Sequence, residues 1–520
     1  MKKLILIFLL IAIAGALTGL FLANDGDLEN ILPGGLQPGE DAQQSHTSGS
    51  ELEQPPEDAF AIRGIVEGFY GTPWTFAQRK DMLSFMEANH FNTYVYAPKD
   101  DPYQRTNWWE LYPTAEFAEL RELVANSKDK NINFVYSLSP GIPQPLSGQK
   151  LTQNTIDNSL TFTSEADFAK LLAKIRQVSS AGVNTFMLSF DDVERFLKNE
   201  DKAVYGDNYP KAHIDLANKL LREGRKDNPD FQLWFAPTAY YGLKDNAYWQ
   251  ELRANLHPEI KVIWTGSWVL AKEITTEEVK QVETLLGRRP LIWDNYPVND
   301  YTYAVDQKPR LLLGPVEHRS PDLSKHTEGI IANPMIQPEA SKIPLATIGE
   351  YLWHPLAYSP EEAWLKAVQT AAQAPQGEYQ ALWKFCTYSA ASILTDNWSK
   401  SGFSSLAESF WLEYNPERTS NSEEKLKEEL RLLAQLPLQI EQTVPNKALV
   451  QEINPWLEKL ALAGETGLKA LEYLKLPRTD PAKAMMRGQL EQKLAALKAN
   501  PIYIGAEIIL FIETCSQIQI

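Results

Sequence analysis

Cysteine is scarce in this chain of 520 residues, and histidine never occurs in a metal-binding pattern. Only Cys386 and Cys515 are present, which excludes a disulfide framework and a thiolate metal site, and the sequence does not say whether the two pair. The seven histidines show no ligand spacing such as His-x-x-x-His. The sequence therefore disfavours a metal enzyme.

Positive charge is also in short supply. The chain has 50 Lys and Arg against 67 Asp and Glu, which gives a net charge of −17 and a pI near 5.1. Because nucleic-acid binding needs clustered Lys and Arg, this composition argues against a nucleic-acid partner. Aromatic residues are abundant instead, with 14 Trp and 21 Tyr. The length and the 44% hydrophobic content allow a large core in two or three domains.

The first 58 residues differ from the rest in composition. Lys2 and Lys3 precede an uncharged run at residues 4–23, which is either a secretory signal with a small-residue cleavage site at 14–16 or an uncleaved membrane anchor. Under both interpretations the following chain lies outside the cytoplasm, secreted or anchored to the outer face of the membrane. Residues 24–58 are rich in Pro, Gly and Ser without periodicity, so we expect a disordered linker.

From residue 59 onward, short apolar runs alternate with amphipathic stretches, and after residue 352 strand signals almost disappear. Eight such units over roughly 280 residues favour a closed (β/α)8 TIM barrel over an open doubly wound sheet. We therefore predict an α/β barrel at residues 59–352, followed by an all-helical domain at residues 353–520. The apolar runs lie at residues 60–70, 91–98, 133–140, 183–190, 231–240, 260–266, 290–296 and 329–334.

Two adjacent acids mark the centre of the predicted barrel. The apolar run at residues 183–190 ends in Asp191 and Asp192. Because side chains alternate along a strand, both acids can face one pocket only if the strand ends there and the chain turns. Paired carboxylates at a strand end suit an enzyme that needs an acid beside an electrostatic stabiliser. The alternative is that one of them only caps the following helix.

Polar residues follow several other predicted strands. Active sites of this fold lie at the C-terminal ends of the strands, so these residues should meet around one opening. Their hydroxyl, amide, amine and carboxylate groups, without a phosphate-binding Gly-rich loop, suit a neutral polyhydroxylated ligand. The strand ends carry Gly68 to Gly71, Lys99 to Asp101, Asp191 and Asp192, Thr238 to Tyr240, Trp293 to Asn295 with Asn299 and Asp300 just beyond, and Asn333.

These segments resemble the motifs of glycoside hydrolase family 84, the β-N-acetylglucosaminidases that include protein O-GlcNAcases. The similarity runs from about residue 63 to residue 355, and the helical tail resembles, less sharply, the segment that follows the barrel in bacterial members. The family often has Pro-Thr-Glu-Tyr where this chain has Pro-Thr-Ala-Tyr at residues 237–240. The matching motifs are VEGFYGTPW (66–74), YVYAPKDD (94–101), SPG (139–141), LSFDDV (188–193), WTG (264–266), IWDN (292–295) and ANP (332–334).

The resemblance implies a retaining exo-β-N-acetylglucosaminidase that removes terminal β-linked GlcNAc from glycans or glycoconjugates by substrate-assisted catalysis. The substrate's acetamido oxygen would attack the anomeric carbon to form an oxazoline, with Asp191 orienting the acetamide N–H. Asp192 would protonate the leaving oxygen and then deprotonate water, and we expect the neighbouring anion to raise the pKa of Asp192. The resemblance implies no metal and no organic cofactor.

The same resemblance assigns binding roles to the other candidates, and two further functions stay open at this stage. One is a hexosaminidase-like or chitinase-like barrel of another family that uses a Glu as its acid. The other is a non-catalytic GlcNAc-binding protein of the cell surface. Neither the natural glycan nor the oligomeric state follows from the sequence. By resemblance, Gly68 (through its backbone), Lys99, Asp300 and Asn333 would hold sugar hydroxyls, Tyr240 and Asn295 would support the acetamido group, and Trp293 would line the acetyl pocket.

Overall fold

The computed structural model describes residues 54–145, 149–374 and 378–518. Within them eight parallel strands pair in chain order and the last strand pairs with the first, so the sheet closes into the predicted barrel. The predicted signal or anchor at residues 1–23 lies outside the described residues, as does nearly all of the predicted linker. The strands are β1 Ile62–Glu67, β2 Thr93–Tyr96, β3 Asn133–Leu138, β4 Thr185–Ser189, β5 Gln232–Ala236, β6 Lys261–Trp264, β7 Pro290–Asp294 and β8 Gly329–Ala332.

Helices of the barrel begin at capping residues that are visible in the sequence. The hydroxyl of Thr75 accepts a hydrogen bond from the backbone N–H of Gln78, and Thr275 does the same for Glu278, each within a reciprocal capping box. Ser164 caps a third helix. The helices of this region are α1 Phe76–Ala88, α2 Thr114–Asp129, α3 Gln153–Asn158, α4 Glu165–Ser179, α5 Asn199–Tyr205, α6 Tyr209–Asp227, α7 Ala247–Asn255, α8 Thr276–Leu286, α9 Asp300–Ala304 and α10 Pro338–Trp353.

Alternate side chains of the strands fill the interior of the barrel. Val66 of β1, Met187 of β4 and Trp234 of β5 belong to one buried cluster inside it. Ile65, the neighbour of Val66, belongs to the separate core between the strands and the helices. The interior is therefore packed with apolar side chains, and polar groups that serve a ligand are confined to the ends of the strands.

Two buried Arg–carboxylate pairs fix the ends of β1 and β7. Glu67 accepts two hydrogen bonds from the guanidinium of Arg79, and Asp294 accepts two from Arg319, all at 2.8 Å. Each of the four side chains is at most 5% exposed. In this bidentate geometry the planar guanidinium matches both carboxylate oxygens, so each charge has a full partner.

The chain beyond α10 is helical, as predicted, and α14 packs closely against α15. Leu426, Leu430 and Leu433 are buried on one face of α14. A Cβ atom at Gly464 of α15 would lie 2.6 Å from the carbonyl oxygen of Leu430, so the two helices approach at a distance that only glycine permits. The helices are α11 Pro360–Ala372, α12 Gln380–Tyr388, α13 Phe403–Glu413, α14 Asn421–Thr443, α15 Lys447–Lys475, α16 Ala482–Ala499 and α17 Ala506–Gln517.

The helical region and the barrel belong to one compact unit, Pro55–Ile520. The indole N–H groups of Trp364 and Trp456 donate to the carbonyl oxygens of Leu313 and Pro309, in the segment that follows α9. The backbone N–H of Leu313 donates to the carbonyl of Ser389 at 2.9 Å. The helices thus brace a loop at the end of the barrel that carries the polar candidates.

In the described part of the chain, no helix has the length and apolarity needed to cross a membrane.

Candidate active site

A cavity of about 190 Å³ lies at the C-terminal ends of the strands, and all nine residues singled out from the sequence line it. Among the described residues that line it, every acid is an aspartate, and the other polar groups are neutral except for Lys99. The remaining lining residues are Tyr70, Ile263, Thr265, Val269, Leu270, Val298 and Tyr301.

The two acids reach the same cavity because the chain turns directly after β4. The backbone N–H of Phe190 donates to the carbonyl of Ala236 at 2.7 Å, and the carbonyl of Phe190 accepts from the hydroxyl of Thr238 at 2.8 Å. These bonds hold Phe190, the residue that follows β4, against the end of β5. Asp191 and Asp192 lie in the turn that follows. Because the strand has ended and the chain turns there, both side chains can face one pocket, as the sequence required.

One ammonium group bridges the two acids. Lys99, which follows β2, donates to Oδ2 of Asp191 at 2.7 Å and to Oδ2 of Asp192 at 3.1 Å. The side chain of Lys99 is 7% exposed, against 13% for Asp191 and 23% for Asp192. Burial lowers the pKa of Lys99, but the two carboxylates raise it more strongly, so the side chain is charged.

The hydroxyl of Tyr70 completes the surroundings of Asp192 by donating to its Oδ2 at 2.8 Å. Burial alone would raise the pKa of Asp192, but Lys99, Arg105 and the Tyr70 hydrogen bond lower it to about 2. The expectation of a raised pKa for Asp192 is therefore wrong for this arrangement, because the lowering by Lys99, Arg105 and the Tyr70 hydroxyl outweighs the raising by burial. Asp192 is therefore ionised at neutral pH while its ion pair with Lys99 is intact.

A network of side-chain hydrogen bonds organises the part of the cavity wall that follows β7 and β8. The indole N–H of Trp293 donates to Oδ1 of Asn295 at 2.9 Å, and Nδ2 of Asn333 donates to the same oxygen at 3.0 Å. Nδ2 of Asn295 donates to the carbonyl of Val269 at 2.8 Å. Three predicted site residues from the ends of β7 and β8 therefore form one fixed network rather than three independent side chains.

Gly68 lets β1 approach this wall. A Cβ atom at position 68 would lie 2.3 Å from Cζ2 of Trp293, so any side chain there would displace the indole. The backbone N–H of Gly68 donates to Oδ1 of Asn333 at 3.3 Å. Two residues further on, the backbone N–H of Tyr70 donates to Oδ2 of Asp300 at 2.8 Å, and burial raises the pKa of Asp300.

Tyr240 stands on the third side of the cavity, beyond β5. Its carbonyl accepts from the backbone N–H of Thr265 at 2.9 Å, which joins the loops after β5 and β6. Burial and the nearby Asp192 and Asp191 raise the pKa of Tyr240. The phenol therefore keeps its proton and can donate a hydrogen bond to a ligand.

Comparison with known proteins bears on what this cavity does. The family model described as β-N-acetylglucosaminidase matches residues 63–387, more than half of the chain. The chain belongs to the β-N-acetylglucosaminidase family. The match extends past the predicted domain boundary at residues 352 and 353 to include α11 and most of α12. A second model, described as hyaluronidase post-catalytic domain-like, matches residues 403–510.

Individual relatives agree with this assignment. The chain is 34% identical to the protein O-GlcNAcases of Rattus norvegicus and Mus musculus over 294 residues, which are 55% of this chain and 29% of each relative. It thus spans less than a third of the length of these relatives. Among solved structures, a mutant of the Thermobaculum terrenum O-GlcNAc hydrolase matches with 29% identity and a TM-score of 0.76 over 88% of this chain and 95% of that one. A structure of CpGH84B matches with 27% identity and a TM-score of 0.73 over 88% and 77%.

Two residues, Tyr70 and Arg105, contact Asp192 but were not among the site residues assigned from the sequence. Tyr70 lies two positions after Gly68 in the same motif and was identifiable from it. Arg105 donates through Nη1 to the hydroxyl of Tyr70 at 3.0 Å and through Nη2 to the carbonyl of Asp192 at 3.3 Å. It lies in an irregular segment with no motif of its own, so only the folded structure reveals it. Nowhere in the described ranges are three or more His, Cys, Asp or Glu grouped to hold a metal ion.

Proposed function

We propose that the chain is a retaining exo-β-N-acetylglucosaminidase that removes terminal β-linked GlcNAc by substrate-assisted catalysis. One observation carries the proposal: Asp191 and Asp192 face a single cavity in which one ammonium group, that of Lys99, reaches both. Apart from the carboxyl of Asp300, the remaining lining side chains are aromatic, amide, hydroxyl and aliphatic, which matches a neutral sugar with an acetamido group.

Asp191 is assigned to the acetamido group of the substrate. A neutral amide oxygen is a poor nucleophile, so much of the rate must come from holding it close to the anomeric carbon. Asp191 would accept the acetamide N–H and stabilise the positive charge that develops as the oxazoline forms. The fixed wall of Trp293 and Asn295 and the protonated phenol of Tyr240 would hold the acetyl group in this orientation.

Asp192 is assigned to the leaving oxygen, as general acid and then as general base. A general acid must carry its proton when the substrate binds, yet Lys99, Arg105 and the Tyr70 hydrogen bond hold the pKa of Asp192 at about 2. The proposal therefore requires Lys99 to leave Asp192. Sugar hydroxyls would supply the alternative acceptors for its ammonium, in agreement with the hydroxyl-binding role expected for Lys99. Once the cation has moved, burial and Asp191 would raise the pKa of Asp192 into a useful range.

The rival barrel chemistry needs a glutamate as the acid. The described lining of the cavity contains none, and Glu67 at the end of β1 is engaged by Arg79 and by the hydroxyl of Tyr94. A non-catalytic binding protein would not need two carboxylates that share one cation, because desolvating them costs free energy. Both observations favour the proposed hydrolase.

The test is hydrolysis of p-nitrophenyl β-N-acetylglucosaminide, with the first product followed by proton NMR. We expect release of nitrophenol and initial formation of the β-anomer, because the oxazoline route proceeds with two inversions. Asp191→Asn, which keeps the size of the side chain, should remove most of this activity. An α-anomer as the first product would refute the mechanism, and absence of turnover by the folded wild-type protein would refute the function.

The proposal includes a location outside the cytoplasm, secreted or anchored to the outer face of the membrane. It is supported by the basic start at Lys2 and Lys3 and by the uncharged run at residues 4–23. Externally added protease should degrade the protein in intact cells, and N-terminal sequencing of the mature protein should show whether the run is removed. Protection from protease in intact cells, with degradation after lysis, would contradict this location.

A further inference from the structure

The leaving part of the substrate, the aglycone, must lie just outside the cavity, and two aromatic residues without an assigned role lie there. Trp268 immediately precedes Val269 and Leu270, which line the cavity, yet its own side chain is 60% exposed. Its ring contacts that of Tyr241, with centroids 5.0 Å apart and planes at 70°. Tyr241 in turn contacts Tyr240 of the cavity, at 5.3 Å.

The loop that carries Trp268 is held in place. The carbonyl of Trp268 accepts from the hydroxyl of Thr265 at 3.2 Å, and the carbonyl of Gly266 accepts from the N–H of Gly242 at 2.9 Å. Asn295 of the cavity wall holds the next residue, Val269. Gly266 has φ +118°, a conformation that other residues rarely adopt. The loop that carries this exposed tryptophan is thus fixed relative to the cavity, which lowers the ordering cost of binding to it.

A polar groove of about 820 Å³ begins at Tyr241 and runs beside α6 and α7. Amide and charged side chains line it, and such groups hydrogen-bond readily to hydroxyls. Since the barrel sheet is closed, it offers no strand edge on which an extended peptide could pair. Its polar lining residues include Arg195, Asn208, Asn246, Gln250 and Glu251, all of which face the groove.

We propose that Tyr241 and Trp268 bind the first sugar ring of the aglycone, so that the substrate is an oligosaccharide with GlcNAc at its non-reducing end. The inference rests on the proposed function and specifies its substrate class. A pyranose presents an apolar face of C–H groups that packs on an aromatic ring, while its hydroxyls point sideways to polar partners. Tyr241 and Trp268 supply an aromatic surface for the apolar face of the sugar, and the groove supplies polar partners for its hydroxyls.

The experiment compares three substrates that share the GlcNAc unit: the β-fluoride, which has no aglycone ring, the β-1,4-linked GlcNAc disaccharide, and a GlcNAc-serine peptide. The variants are Trp268→Ala, Trp268→Phe and Tyr241→Ala. Trp398→Ala is the matched control, because Trp398 is 64% exposed but lines neither the cavity nor the groove. Trp268→Ala should lower kcat/KM for the disaccharide about tenfold, mainly through KM.

For the fluoride, Trp268→Ala should stay within about twofold of wild type, and Trp268→Phe should restore most of the disaccharide activity. An equal loss on fluoride and disaccharide would overturn the inference, because the ring would then only hold the loop. A loss confined to the peptide would overturn it in favour of a peptide aglycone. No loss on any substrate would overturn it while leaving the hydrolase function intact. A wild-type protein inactive on both sugars would refute the proposed function itself.

Discussion

The buried ion pairs at the ends of β1 and β7 differ in kind from the charged cluster in the cavity. Arg79 with Glu67, and Arg319 with Asp294, are one-to-one pairs with two hydrogen bonds each and almost no exposure. In the cavity a single lysine serves two aspartates, and Asp192 is 23% exposed. The first arrangement satisfies each charge with one partner, whereas the second leaves two anions to share one cation.

The two arrangements also differ in the type of cation, which is arginine in the buried pairs and lysine in the cavity. A guanidinium is planar and matches a carboxylate through a rigid fork, so it fixes geometry. A lysine ammonium is a compact charge on a flexible stem and can exchange one acceptor for another. We infer that the arginine pairs set the position of the strand ends, while Lys99 is the movable charge whose departure lets Asp192 take up a proton.

The largest expected effect comes from the two acids of the shared cluster. Asp192→Asn removes the acid, so substrates with alkoxide-like leaving groups should lose about 10²–10⁴-fold in rate, whereas good aryl leaving groups should lose far less. Asp191→Asn removes the acetamide partner and should slow every substrate, whatever its leaving group. The measurement is kcat/KM over a leaving-group series for both variants.

The two slopes of that series decide the assignment. A steep dependence on the leaving group for Asp192→Asn and a shallow one for Asp191→Asn would support it. A thiazoline mimic of the intermediate, which carries positive charge, should also lose affinity for Asp191→Asn, because Asp191 faces that charge. Equal slopes would remove the distinction between the acids, and a reversed pattern would exchange their roles.

The next effect tests the fixed pair. Arg79→Met leaves Glu67 buried without its fork, which should lower the free energy of unfolding by about 3–5 kcal/mol. Urea unfolding followed by tryptophan fluorescence measures this. The double variant Arg79→Met with Glu67→Gln serves as the control and should recover part of the loss, since no unpaired charge remains. A loss below about 1 kcal/mol would show that this pair does not stabilise the barrel.

The shared cluster should instead appear in the pH dependence of stability. The pKa of Asp192 is about 2 in the fold, below its ordinary value of about 3.9, so its ionised form contributes stability above about pH 4. That contribution is lost as pH falls through 2. Lys99→Met should be less stable than wild type at neutral pH, and the difference should narrow between about pH 4 and pH 2. A difference that is constant over this range would contradict the ionic role of Lys99.

Sequence patterns were sufficient for the fold because its signals are periodic. The apolar runs recur with helices between them, and the strand ends of such a barrel converge, which placed Gly68, Tyr240 and Asn333 around one opening. The helical tail was equally readable, as with Leu426 and Leu430 on one face of α14. These features depend on local spacing together with a single rule of architecture.

The pKa of Asp192 could not be predicted from the sequence in the same way. The expectation of a raised pKa at Asp192 considered its neighbour in sequence, Asp191, and missed cations that arrive from another loop. Lys99 was identified as a site residue, but its contact with both acids depends on the relative position of the loops after β2 and β4. Arg105 carries no motif, so its contact with Asp192 follows only from tertiary packing.

The smallest expected effect compares two tyrosines, one in each kind of arrangement. Tyr70→Phe removes the hydrogen bond to Oδ2 of Asp192, and Tyr94→Phe removes the corresponding bond to the buried Glu67. Each lost hydrogen bond is worth about 1 kcal/mol, but the two losses should differ in the measurement that reveals them most clearly. Tyr94→Phe should lower the free energy of unfolding and leave the pH profile of activity unchanged, because Arg79 still holds Glu67.

Tyr70→Phe should instead shift the pH profile of activity. Without that donor the ionised form of Asp192 is less favoured, so its pKa rises and the pH dependence of kcat/KM moves to higher pH. The same change should lower the free energy of unfolding at neutral pH by at most about 1 kcal/mol. Chemical denaturation gives the change in the free energy of unfolding for each variant, and pH–rate profiles give the shift in the pH dependence of activity. The comparison predicts all four of these values. If Tyr94→Phe shifted the pH profile as much as Tyr70→Phe, the charges at the end of β1 would be coupled to catalysis, and the division between fixed pairs and a movable cluster would fail.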